Sequence, residues 1–191
     1  MNTAESSVLR VRDDALPVAR MVALAVAFAA ALAVAAQVRV PLPFTPVPIT
    51  LQTLVLYIGA AWLGTRMVLP GLALYVGVAI LGVPVMSGWR GGLAAFTGAT
   101  GGYILGWFVA AIVLSKLLDG RSPSWPRTVG SMGLASAIVL SCGTLHLGLL
   151  LDLSPGQAFL MGAAPFIPGD ALKILLASSA VRRWPNPLST R

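Results

Sequence analysis

What most constrains this chain is where charge is missing. Long apolar segments follow one another from about residue 17 to residue 184, and in their interiors the only charged side chains are Asp170 and Lys173. A helix that crosses a bilayer needs about 20 mostly apolar residues, since lipid offers its backbone no hydrogen bonds. Composition agrees: 57% of the 191 residues are hydrophobic and 10% are charged, against about 25% charged in soluble domains. The expectation is an all-α integral membrane protein of about six transmembrane helices in one bundle, with irregular outer-side loops and a broken last helix.

The break lies at Pro165-Phe166-Ile167-Pro168-Gly169-Asp170-Ala171-Leu172-Lys173. Prolines remove backbone donors and clash with the preceding turn, so Pro165 and Pro168 stop one half-helix and Gly169 lets another begin. Asp170 then meets the positive end of a helix dipole, and Lys173, three residues on, leaves the same face. Charge at membrane depth costs at least a few kcal/mol per residue, so such groups face a cavity, a partner or a ligand. The plainer reading is an ion pair that only locks the kink.

Taken in order, residues 1–16 read as a mobile cytoplasmic tail, and Pro17 as a helix start. Ala33-Val34-Ala35 resembles a signal-peptidase site, but the segment before it is long and carries Glu5, Asp13 and Asp14, so a retained first helix is expected. In that helix Ala19, Ala23, Ala27, Ala31 and Ala35 recur every fourth residue, a stripe that admits another helix closely, in the bundle or from a partner. Four prolines within residues 39–48 make a stiff extended connection. A short apolar segment follows at 49–63, where Gln52 either contacts a ligand or bonds another helix. Gly64-Thr65-Arg66 reads as a tight turn into a span at about 67–82 that contains Tyr75. Residues 83–99 are a glycine-rich loop with one cation, Arg90, beside the aromatic face of Trp89; both serve a ligand or anchor the loop at the interface. Gly98, Gly102 and Gly106 suit close packing of a fourth span, to about residue 118. The fifth runs over about 128–150 and holds the single histidine, His146, read as a packing residue. The sixth, about 157–181, carries the break.

Cations gather at the even-numbered connections and the termini: Arg10, Arg12, Arg20, Arg66, Lys116, Arg121, Arg127, Arg182, Arg183 and Arg191. Only Arg39 and Arg90 lie near odd-numbered connections. The positive-inside rule then predicts a multi-pass protein of the cell inner (plasma) membrane with both termini cytoplasmic. The proline segment, the glycine loop and the break share the outer side. One transmembrane domain over 17–184 and a C-terminal tail over 185–191 follow. The net charge of +7 forms no stripe, so nucleic acid is not an expected partner. A single cysteine, Cys142, excludes an internal disulfide and reads as a buried inert thiol. No cofactor or metal is expected.

Three blocks meet on that outer side: Pro46-Val47-Pro48-Ile49-Thr50-Leu51-Gln52-Thr53-Leu54, Gly98-Ala99-Thr100-Gly101-Gly102-Tyr103, and Pro165 to Asp170 with Lys173. Together they resemble the BioY family, the biotin-specific substrate-binding (S) components of energy-coupling factor (ECF) transporters. The likeness spans nearly the whole chain after the tail. It departs where the family often has proline at the place of Ala99 and a prolyl turn at Thr65-Arg66. The resemblance implies a six-helix fold with an outward pocket for biotin. It also implies that Ala19, Ala23, Ala27 and Ala31 meet a transmembrane coupling subunit driven by two ATPases. The chain itself has no phosphate-binding Gly-x-x-x-x-Gly-Lys-Ser/Thr motif. Asp170, Lys173, Gln52, Arg90, Tyr75 and Trp89 are the candidate substrate-binding residues. Two other classes compete: a self-sufficient secondary transporter of biotin or a related vitamin, which predicts an inverted repeat that the chain does not display, and an intramembrane enzyme using Ser141, His146 and Asp170, for which no motif assembles the groups.

Overall fold

The computed structural model describes residues 18–119 and 124–184. The expected tails 1–16 and 185–191, with Pro17 and Arg121, lie outside them. In chain order the elements are α1 (Val18–Gln37), β1 (Arg39–Leu42), β2 (Thr45–Thr50), α2 (Gln52–Ile80), α3 (Ala94–Thr97), α4 (Gly101–Leu118), α5 (Trp125–Leu150), α6 (Pro155–Gly162) and α7 (Ile167–Arg183). Four helices, α1, α2, α4 and α5, are long and apolar enough to cross a membrane, and α6 with α7 make a further span bent by 46°.

Helix α2 is two helical legs joined by a reversal. Gly64 has φ 65° and ψ 175°, a conformation essentially restricted to glycine. Gln52 Nε2 donates to Tyr75 OH at 2.8 Å across 23 residues, which a straight helix would hold about 35 Å apart. The Phe28 ring likewise lies where a Cβ on either Gly59 or Gly71 would strike it, although a straight helix would separate those two by about 18 Å. The chain therefore folds back at Gly64, where a tight turn is expected from the sequence. Six helical legs result: α1, 52–63, 65–80, α4, α5 and α6 with α7.

The helices bury an apolar seam. Phe28 and Leu32 of α1, Leu56, Tyr57, Leu72 and Tyr75 of α2, Trp107 and Leu114 of α4, Met132 and Val139 of α5, and Ala177 of α7 belong to one core. Gly102 and Gly106 let α4 approach α5: a Cβ on Gly102 would strike the His146 side chain, and one on Gly106 would press on Val139. On α1 the buried residues are Ala25, Phe28, Leu32, Ala35 and Ala36. Ala19, Ala23, Ala27 and Ala31 are exposed. The stripe thus faces out of the bundle for most of its length and turns inward only at Ala35.

The proline-rich connection is more ordered than an extended linker. It is a two-stranded antiparallel ribbon with Arg39 opposite Thr50, Val40 opposite Ile49 and Leu42 opposite Thr45, irregular between Val40 and Leu42. Proline removes a ladder donor, which a ribbon tolerates because each strand has a free edge. The glycine-rich stretch also has structure: an antiparallel bridge joins Met86 and Arg90, and α3 follows. At the last span the second half-helix starts at Ile167, before Gly169, with Pro168 in its first turn, where the missing N–H is harmless.

Candidate functional site

The ribbon, the turn around Ser87, α4, α5 and the broken span enclose a cavity at one end of the bundle. Part of it is open to the outside. Val47, Pro48 and Thr50 of the ribbon form one wall. Tyr103, Trp107, Phe166 and Ile104 give it aromatic and apolar surfaces, and Asp170, Lys173, Gln52, Thr53, Ser87 and Arg90 supply polar groups.

Asp170 and Lys173 are at the buried end, 4% and 7% exposed. Their i,i+3 spacing brings Lys173 Nζ to 3.0 Å from Asp170 Oδ1. Nζ also donates to Thr53 Oγ1 at 2.9 Å, and that hydroxyl donates to Asp170 Oδ1 at 3.4 Å, closing a ring of three groups. The other carboxylate oxygen accepts from Ser136 Oγ at 2.6 Å and from Tyr57 OH at 3.4 Å. Four donors thus occupy the carboxylate, about its full capacity as an acceptor. Lys173 has three N–H bonds, of which two are used.

Gln52 is buried, with Nε2 donating to Tyr75 OH at 2.8 Å and Oε1 accepting from Thr50 Oγ1 at 3.2 Å. Tyr75 in turn donates to Val85 O at 3.1 Å and does not line the cavity; it stands behind Gln52. Arg90 lines the cavity with Nε donating to Ser87 O at 3.1 Å. Trp89, next to it, is 71% exposed and off the wall. The indole that does line the cavity is Trp107, buried, whose Nε1 has no hydrogen-bond partner among the described residues. Sequence reasoning brought Asp170, Lys173, Gln52 and Arg90 to one cavity and missed Thr53, Tyr57, Ser87, Trp107 and Ser136. A serine or threonine hydroxyl in a membrane helix can bond its own backbone, and a tyrosine or tryptophan there can simply pack in the core, so nothing in their spacing marks them.

The groups an enzyme would use are apart. His146 Nε2 is 3.0 Å from Gly98 O, the packing role expected of it. Ser141 lines a separate groove over α5 and α6, and the serine at Asp170 is Ser136. Among the described residues no group of acidic, histidine or cysteine side chains could hold a metal.

Comparison with known proteins bears on the same chain. The sequence model of the BioY family matches residues 3–189. A biotin transporter BioY of Rhizobium etli is 34% identical over 145 residues, which cover 72% of this chain and 77% of the relative. One of Lactococcus lactis subsp. cremoris is 31% identical, covering 75% and 78%. Among solved structures, the S-component for biotin from an ECF-type ABC transporter superposes with a TM-score of 0.81 over 88% of this chain and 94% of that one, at 25% identity.

Proposed function

Because this chain belongs to the BioY family, we propose that it is the biotin-binding membrane subunit of an ECF uptake system, a capturing protein and not an enzyme. The observation that carries the reading is the buried Asp170–Lys173 pair on the wall of an aromatic-lined cavity. Biotin's ureido ring offers two N–H donors and one strong carbonyl acceptor. Lys173 has one N–H left to give, and the ureido carbonyl is its acceptor. On Asp170 the 2.6 Å bond from Ser136 holds the carboxylate, and an incoming ureido N–H displaces one of the two 3.4 Å contacts, from Thr53 or Tyr57. Gln52, fixed by Tyr75, turns its amide to the ring edge. The thioether ring lies against Tyr103, Trp107 and Phe166, and the valerate carboxylate points to Arg90.

The cation distribution supports a multi-pass inner-membrane protein with both termini cytoplasmic and the cavity mouth outside. Exposure of Ala19, Ala23, Ala27 and Ala31 supports their role as the surface for the transmembrane coupling subunit, with two ATPases supplying the energy. The test is equilibrium binding to the purified chain of biotin, with lipoate and thiamine as controls. Saturable binding of biotin alone is expected; no binding, or equal binding of all three, would overturn the proposal.

A further inference from the structure

The turn over the cavity mouth is more strongly built than a loop requires. Met86 N donates to Arg90 O at 2.9 Å and Arg90 N to Met86 O at 3.3 Å, and between them Gly88 and Trp89 have φ of 74° and 58°. A tryptophan with positive φ is strained. Gln37, at the end of α1, holds it there: Oε1 accepts from Trp89 N at 3.3 Å while Nε2 donates to Met86 O at 3.2 Å.

Three groups converge on this turn. Arg90 Nε donates to Ser87 O, and its terminal nitrogens have no partner among the described residues. Arg39, at the start of β1, lays its guanidinium against Gly88, so close that a Cβ there would strike Nη1. Ser87 is 7% exposed, lines the cavity, and has a buried Oγ with no hydrogen-bond partner among the described residues. An unpaired buried hydroxyl is costly. Two guanidinium groups flanking one turn repel each other, and the only ion pair among the described residues is Asp170 with Lys173. An anion at the cavity rim would pair with Arg90, give the Ser87 hydroxyl an acceptor and lie in the field of Arg39.

We infer that Ser87 and Arg39 complete, with Arg90, a carboxylate-binding site at the cavity rim. This rests on reading the cavity as biotin's, and it assigns the two residues different tasks. Ser87, buried, donates Oγ–H to the bound carboxylate and so governs dissociation. Arg39, exposed and off the cavity wall, draws the anion in and so governs association, in a way that salt screens.

Association and dissociation rates of biotin and of biotin amide are measured on the full chain in lipid nanodiscs. Ser87→Ala is expected to speed biotin release about 10- to 100-fold, the loss of one hydrogen bond to a charged group, and to change release of the amide less. Ser87→Thr, which keeps the hydroxyl, restores slow release. Arg39→Gln slows biotin capture about two- to fivefold at low salt, a difference that vanishes near ~0.5 M salt, and leaves amide capture unchanged. Equal effects on both ligands would overturn the site, since the residues would then only shape the turn; unchanged rates would overturn it too. Failure of the unaltered chain to bind biotin would instead refute the functional reading on which it rests.

Discussion

Lys173→Met isolates the cation from the pair it belongs to. Methionine keeps most of the side-chain volume and removes Nζ, and with it the 3.0 Å contact to Asp170 and the 2.9 Å bond to Thr53. Breaking a buried ion pair costs about 3–5 kcal/mol, because the remaining charge is left uncompensated. Here the lower end applies, since Ser136, Tyr57 and Thr53 still donate to the carboxylate. Binding loses something separate: the remaining N–H can no longer meet the ureido carbonyl. A hydrogen bond to a charged group contributes about 1.5–3 kcal/mol, so biotin affinity should fall about 10- to 100-fold. Calorimetric titration of the detergent-solubilised variant measures the affinity, and thermal unfolding followed by tryptophan fluorescence measures the stability. Lys173→Arg, which keeps the charge, should recover part of the stability and less of the affinity, because a planar guanidinium does not reproduce a point donor. Parental affinity in a destabilised Lys173→Met variant would refute the reasoning and leave the pair as a lock on the helix break.

Arg90→Ala should weaken biotin about tenfold or more and a tail-amidated analogue much less; competition binding of the two ligands decides it, and equal losses would remove Arg90 from the tail. Ala23→Trp or Ala27→Trp places a bulky ring on the exposed stripe and should leave biotin binding intact while abolishing co-purification with a coupling subunit. Loss of biotin binding with normal association would be the contrary result. Gly64→Ala forces a Cβ into a glycine-only conformation and should destabilise the fold by about 1–3 kcal/mol, read as a lowered unfolding midpoint with biotin affinity little changed once the protein is folded; an unaltered midpoint would show that the reversal does not need glycine.

Several features of this protein are written in short stretches of chain. Membrane residence follows from apolar length, and the break in the last span from Pro165 and Pro168. The Asp170–Lys173 pair follows from i,i+3 spacing, because residues that close are held in register by a single helix turn. The reversal at Gly64 belongs to the same class, since one glycine and its neighbours decide it. Arg90 and Gln52 were legible as polar groups in apolar surroundings.

Other features needed the packed molecule. Ser136, Tyr57 and Thr53 are 34, 113 and 117 residues from the carboxylate they hold, and a serine, tyrosine or threonine looks the same in sequence whether it bonds its own helix or a distant one. Trp89 and Trp107 are equally aromatic, yet the first stands outside and the second lines the cavity, because a left-handed backbone turns one away while the α4 face turns the other in. The alanine stripe could have packed inside the bundle. It faces out because Phe28 and Ala25, both buried on α1, fill the space left by Gly59 and Gly71, and one helix can present only one face to its own core. Local spacing determines which groups share a helix face, whereas burial, pairing and orientation depend on contacts between segments far apart in the chain, which only the folded arrangement brings together.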